Sequence, residues 1–180
     1  MAIVNLTAMS ALTDAADGDV LYIVDDPASA ALPRKITYQN VVRRAYGEIY
    51  VNDASTAQSL SATTWTKLTA FANNGISKNT TVSHANDKIT VTDAGIYKVH
   101  VSASFGIGHP GDAQLGIYYN GSLTSARTKR ALVANDTANV GLDCLCDATS
   151  GSTDFEVYAH LEDATTITIH NMNLIVVRVA

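Results

Sequence analysis

From Tyr97 to Phe105 every second residue is apolar (Tyr97, Val99, Val101, Ala103, Phe105), and Lys98, His100, Ser102 and Ser104 fill the gaps. A period of two predicts a strand with one core face and one polar or loosely packed face. Ahead of it, Lys88 to Val91 reads as a second strand, and Asp93-Ala94-Gly95 supplies a turn in which glycine frees the backbone. Strand, tight turn and strand together predict antiparallel pairing. The alternation returns at Val140, Leu142, Cys144 and Cys146, and again at Phe155, Val157, Ala159 and Leu161. Residues 114–119 form a further strand that runs into Asn120-Gly121, a strong hairpin signal, with 126–133 returning from it.

Weaker segments complete the pattern. Ile49 to Val51 is strand-like. Residues 63–71 alternate imperfectly through Trp65, Leu68 and Phe71, and 77–84 is a strand or an extended loop. Residues 165–169 and 174–179 read as two final strands, while 73–75 and 147–154 read as turns. About eight short strands with almost no helical periodicity predict an all-β fold, an antiparallel β-sandwich of the jelly-roll kind.

Residues 1–46 follow another pattern and are expected to form an N-terminal arm, leaving 47–180 as the sandwich domain. In the arm a polar lead-in precedes a short apolar strand, Val20 to Val24, which Asp25-Asp26-Pro27 ends. Arg34 to Ile36 is a possible second strand. Thr37 can cap a brief helix over 37–46, with Val41 and Val42 inward and Gly47 as its stop. The arm cannot bury much by itself, so it is expected to pack on a partner chain or on the main domain. Its charges are split: Asp14, Asp17, Asp19, Asp25 and Asp26 come first, then Arg34, Lys35, Arg43 and Arg44. Two readings stay open, solvated faces that offset one another or a docking arm for a charged partner surface.

Composition narrows the function classes. The length of 180 residues suits one domain with a short extension. The net charge of −5 argues against a general nucleic-acid binder, which needs a basic face. The charged fraction is 16%, against about 25% in a typical soluble protein. Part of the surface is therefore expected to be hidden in an oligomer. No stretch approaches the ~20 apolar residues that span a bilayer, and the first residues lack the basic start of a secretion signal. Synthesis and folding in a cytoplasm are the expectation. Cys144 and Cys146 sit two apart on one strand face and are expected to be buried free thiols, since a disulfide between such neighbours is strained.

Candidate chemistry is sparse. Gly106 to Gly111 matches G-x-G-x-x-G by letters, but Pro110 and a strand follow instead of a helix, so it reads as a β–β loop. For His84, His100, His109, His160 and His170, metal binding would require two or three to converge, as around a trimer axis, and ordinary surface or interface histidines are the expectation. No nucleophile motif or supported carboxylate pair is present, so no enzymatic activity, metal or cofactor is expected. Tyr97, Tyr118, Tyr119 and Tyr158 lie on strands. Tyr118 and Tyr158 fall out of phase with their apolar neighbours, as does His100, and these three are the candidates for a subunit interface.

Two resemblances give these readings a context. The run ITVTDAGIYKVHVSASF resembles the strand–turn–strand centre of the tumour necrosis factor and complement-type jelly rolls. The segment GIYYNG ending at Gly121 and the terminal NLIVVRVA resemble later strands of that family, so the resemblance covers 48–180. The lead ALTDAADGDVLYIVDDP…RKITYQNV resembles the amino-terminal segment of bacteriophage virion proteins, both head decorations and tail fibres. Together they imply a homotrimer attached to a virus particle, made in the host cytoplasm. No collagen-like repeat or heptad stalk is present to hold a trimer. The expected function is structural: a capsid decoration or cement protein bound to the major capsid protein through Arg34, Lys35, Arg43 and Arg44, with His100, Tyr118 and Tyr158 in the trimer contact. The alternative is a tail-fibre or spike tip, joined to a tail or baseplate protein, whose loops 106–113 and 147–154 recognise a host glycan or protein receptor. Neither reading involves nucleic acid or a membrane.

Overall fold

The computed structural model describes the backbone of residues 20–24, 33–37, 44–134, 136–149 and 151–179. The chain divides into two compact units, Met1–Arg43 and Arg44–Ala180. In the first, β1 (Val20–Val24) pairs antiparallel with β2 (Pro33–Thr37), Val20 opposite Thr37 and Val24 opposite Pro33. The helix expected over 37–46 loses both its ends: Thr37 closes β2, and Tyr46 opens the next strand. Residues 38–43 lie outside the described residues.

The second unit is built from two antiparallel sheets. Its strands are β3 (Tyr46–Val51), β4 (Thr56–Leu60), β5 (Thr66–Lys67), β6 (Asn73–Lys78), β7 (Thr80–Ser83), β8 (Lys88–Val91), β9 (Gly95–Ile107), β10 (Gly111–Tyr119), β11 (Ser122–Leu132), β12 (Thr137–Ala148), β13 (Thr153–Leu161) and β14 (Thr165–Arg178). One sheet runs β12-β9-β14-β3-β6, with β4 also on β14. The other runs β11-β10-β13-β8-β7, with β5 on β13. A single 3-10 turn, His84–Asn86, interrupts the β pattern among the described residues of this unit.

The predicted alternation is what closes the sandwich. Tyr97, Val99, Val101 and Phe105 of β9 and Leu174 and Val176 of β14 are buried from one sheet. They meet Leu115, Ile117, Phe155, Val157 and Ile89 from the other. The rings of Tyr97 and Phe155 sit 6.1 Å apart in a tilted pair, a geometry aromatic rings favour over a face-to-face sandwich. The Tyr97 hydroxyl reaches out of the core and donates to the Asp93 carbonyl at 2.9 Å, so the turn before β9 is fastened to the core strand itself. Removing a ring of this kind costs about 3–5 kcal/mol.

Three departures from the sequence pattern have physical causes. Residues 73–75 are not a turn but the start of β6, which pairs with β3 across a register shift between Gly47 and Ile49. Gly75 lies against the Glu48 side chain, where a Cβ has no room, so the glycine serves a close approach rather than a reversal. Residues 165–169 and 174–179 are one strand, β14, with a bulge between Ile169 and Asn171. Ile167 and Ile169 face the core before it, Met172, Leu174 and Val176 after it. The extra residue moves the inward phase from odd to even positions. Of 63–71 only Thr66–Lys67 is strand.

The Asn120-Gly121 hairpin does form. Both residues have positive φ, 46° and 74°, as the tight hairpin turn requires. The turn is also tied to β13, because Asn120 Oδ1 accepts from the Asp154 backbone N–H at 2.9 Å. The Asp154 carboxylate accepts from Lys88 Nζ at 2.8 Å and from the Thr90 hydroxyl. Partial burial pushes this carboxyl up, but Lys88 and Thr90 outweigh it and hold it below the usual carboxylate range. A depressed folded-state value means stability that is present above the unfolded carboxylate range and is lost as pH falls through the folded one. Asp154→Asn is therefore expected to lower the unfolding free energy at neutral pH, with the gap to wild type closing below about pH 4. Urea titrations at a series of pH values check this, and a gap independent of pH contradicts it.

Candidate functional site

Two outer sheet faces and one segment of the first unit carry the candidate residues. On the β12-β9-β14-β3 sheet, the outward positions form rows that follow the register. Leu145, Lys98, Val177 and Tyr46 make one row, Asp143, His100, Ile175 and Glu48 the next, and Gly141, Ser102, Asn173 and Tyr50 the third. The first row is apolar around its lysine: Leu145 is 68% exposed and Val177 39%, and Ile96, one pleat further along β9, is also 39% exposed. In the middle row His100 Nδ1 lies 3.1 Å from Asp143 Oδ1, and Lys98 Nζ lies 3.4 Å from the same oxygen. The His100 hydrogen bond, joined by Lys98, holds the Asp143 carboxyl below its ordinary value. In the third row Asn173 Nδ2 donates to Glu48 Oε1 at 2.7 Å. Its Oδ1 is buried without a hydrogen-bond partner among the described residues. From that row onward, Asn52, Ser102, Ser104, Asn139, Asn171 and Asn173 line a shallow groove of about 390 Å³.

Tyr118 and Tyr158 lie elsewhere, on the outward face of the β10-β13 sheet. Their rings stack at 3.7 Å with an 18° tilt. Trp65, just ahead of β5, lies across the same face, 6.1 Å from Tyr118 and 5.4 Å from His160. It fits because Gly116 beneath it has no side chain: a Cβ there would stand 2.6 Å from Leu123 Cδ1 and 3.0 Å from the indole. The Tyr158 hydroxyl donates to Glu156 Oε2 at 3.3 Å, and Lys67 Nζ pairs with Glu156 Oε1 at 2.6 Å. Burial raises both tyrosine hydroxyls above their ordinary value, and Glu156 adds to the effect at Tyr158.

The three residues expected to share an interface are thus divided between opposite faces of the sandwich. Out-of-phase residues on strands of different sheets point away from a common core in opposite directions, so His100 and the tyrosine pair do not share one patch of surface. The basic residues are divided too. Arg34 and Lys35 lie on β2 of the first unit, and Arg43 falls outside the described residues. Arg44 opens the second unit as an exposed residue whose carbonyl accepts from Asn79 Nδ2 at 2.8 Å. Gly106 and Ile107 end β9 and Gly111 begins β10, so the G-x-G-x-x-G letters span a β–β connection. Among the described residues, no three His, Cys, Asp or Glu side chains converge as metal ligands would.

No family model matches the chain, and no curated protein matches it. Solved structures do. The globular domain of zebrafish complement 1qA protein aligns with a TM-score of 0.56 at 12% identity, covering 76% of this chain and 98% of that one. Eiger TNF from S. frugiperda aligns at 0.54 and 10% identity, covering 76% and 93%. Murine APRIL aligns at 0.53 and 12% identity, covering 76% and 99%. The second unit is a jelly roll of the tumour necrosis factor and C1q type. At these identities the likeness is one of fold.

Sequence reasoning missed the open apolar row and the place of Trp65. A signal for the first was present. Leu174 to Val177 is an unbroken apolar run, which in a strand means that both faces are covered. For Trp65 no short-range signal exists, because Gly116 is 51 positions away in the chain. Gly116→Val is expected to push the indole off the sheet at a cost of about 1–3 kcal/mol. As Trp65 is the one tryptophan of the chain, a red shift of its fluorescence emission reads this directly, and unchanged emission contradicts it.

Proposed function

We propose that this chain is a structural virion protein: a homotrimeric capsid decoration or cement protein whose first unit attaches it to the phage head. The carrying observation is the row of Leu145 and Val177 with Ile96 beside it, an apolar strip left open on the outward face of a sheet whose other face is already core. A soluble domain gains by covering such a strip. The low charge content fits a partly hidden surface, and the tumour necrosis factor and phage resemblances imply three copies on a particle. In this reading the trimer closes through the β12-β9-β14-β3 face, with His100 inside the contact and Tyr118 and Tyr158 outside it. The first unit, with Arg34 and Lys35 on β2, docks on the major capsid protein, and three arms on one trimer multiply each other's affinity. No catalytic step and no cofactor enter the role.

The second reading, a receptor-binding tail or spike tip, is favoured by the aromatic face. Stacked Tyr118 and Tyr158 with Trp65 beside them offer apolar ring area next to the polar Glu156 and Lys67, a composition suited to a sugar ring. Copy number per particle separates the two, hundreds for decoration and a handful for a tip.

Light scattering of the full chain is expected to give three times the 19.0 kDa chain mass. Leu145→Lys combined with Val177→Lys is expected to give the single-chain mass with unchanged far-ultraviolet circular dichroism. A wild-type monomer in dilute buffer overturns the trimer. A chain starting at Arg44 is expected to keep the trimer mass and lose capsid binding in co-sedimentation, whereas capsid binding by that truncate refutes the arm's role.

A further inference from the structure

Cys144 and Cys146 take no part in the role above, and their placement is unlike that of ordinary core thiols. Both face inward from β12, Cys144 opposite Val99 and Cys146 opposite Tyr97, and their sulfurs lie 3.5 Å apart. β12 is the outermost strand of its sheet, and β11 is the outermost strand of the other. The dithiol therefore stands at the seam where the two sheet edges meet rather than in the middle of the sandwich. Cys146 is buried and Cys144 is half-buried.

The two sulfurs are also unequal. The hydrogen bond from Cys146, with a second from the Thr124 hydroxyl of β11, draws the Cys144 thiol down to about 7 against the opposing effect of burial. The contact between the sulfurs and burial both push the Cys146 thiol up. Cys144 is the less buried of the two residues, and the Cys146 sulfur waits beside it.

We propose that Cys144 and Cys146 form a peroxide-reactive dithiol that closes reversibly to an intrachain disulfide, Cys144 being the attacking and Cys146 the resolving sulfur. In the first step the Cys144 thiolate attacks one oxygen of hydrogen peroxide. The S–O bond forms, the O–O bond breaks, and the departing hydroxide takes a proton to become water, leaving Cys144 as a sulfenic acid. In the second step Cys146 gives up its proton and its sulfur attacks the Cys144 sulfur. The S–S bond forms, the S–O bond breaks, and a second water leaves. The two thiols lose two electrons together and the peroxide gains them. Closing the bond brings the sulfurs about 1.5 Å nearer. An edge strand accommodates that pucker because it is hydrogen-bonded to a neighbour on one side only. The ring closed between positions two apart is strained, and strained disulfides are the ones that reduce readily.

The test uses the reduced full chain. Hydrogen peroxide is expected to remove both alkylatable thiols and to lower the intact mass by two hydrogen atoms within one chain, and dithiothreitol is expected to restore both. Iodoacetamide is expected to modify Cys144 before Cys146, at a rate rising with pH through about 7. In Cys146→Ser, dimedone is expected to trap a sulfenic acid at Cys144. In Cys144→Ser, peroxide is expected to consume the remaining thiol about tenfold or more slowly. The proposal falls if both thiols survive peroxide that consumes free glutathione. It also falls if oxidation gives only crosslinks between chains on a non-reducing gel, or if the two single variants react at equal rates. The wild-type measurements need no variant to fold, and none of these readouts depends on whether the chain binds a capsid.

Discussion

The pleat of a strand sends neighbouring side chains to opposite sides, and this constraint, applied to β9 and β14, settles the rest of the second unit. These strands lie side by side at the middle of one sheet, matched from Ile107 to Tyr97 against Ile167 to Arg178. Once Tyr97, Val99, Val101 and Phe105 are committed to the core, Lys98, His100, Ser102 and Ser104 are committed to the outside. The neighbouring strands inherit that phase through the register. Between these two strands the register shifts at one place, the bulge between Ile169 and Asn171, which lets β14 serve the core on both sides of a phase slip.

Much of this was legible along the chain, because the signals are local. The alternations at 97–105, 140–146 and 155–161 each lie within one strand, and the Asn120-Gly121 turn is set by backbone conformations those two residues reach easily. What stayed hidden depends on residues far apart. Glycine at 75 looks like a turn residue until the Glu48 side chain is placed against it. Tyr118, Tyr158 and His100 share an out-of-phase character in the sequence, yet phase says only that a residue leaves the core, not on which sheet it leaves. That distinction rests on strand order, which no single segment carries. Trp65 belongs to a surface cluster only because the connection that ends just before β5 folds over a glycine on β10.

The two outer faces differ in chemistry as well as in place. One is wide and shallow, apolar at Leu145 and Val177, then ionic at Asp143 and His100, then amide-rich at Asn173 and Asn171. Such a gradient gives a partner surface both something to bury and a way to register itself. The Lys98–Asp143 ion pair on it is exposed and contributes little to folding, so its value lies in orientation. The other face is compact: aromatic rings stack on one another and on Trp65, and the Lys67–Glu156 pair closes its margin. It is held together without any second chain, and it leaves ring edges and a carboxylate outward.

The placement of β14 bears on how the domain comes to exist at all. β3 and β9 lie on either side of β14 and do not touch each other in the sheet, so the segment that unites them is synthesised after both. Glu48 and Asn173 must find one another across 125 positions. While the ribosome is still producing the intervening chain, β3 has no permanent neighbour on that side, and its apolar residues wait in water. Assembly is therefore slow and late rather than stepwise, and the nascent chain passes through a window in which it is vulnerable to sticking to its neighbours.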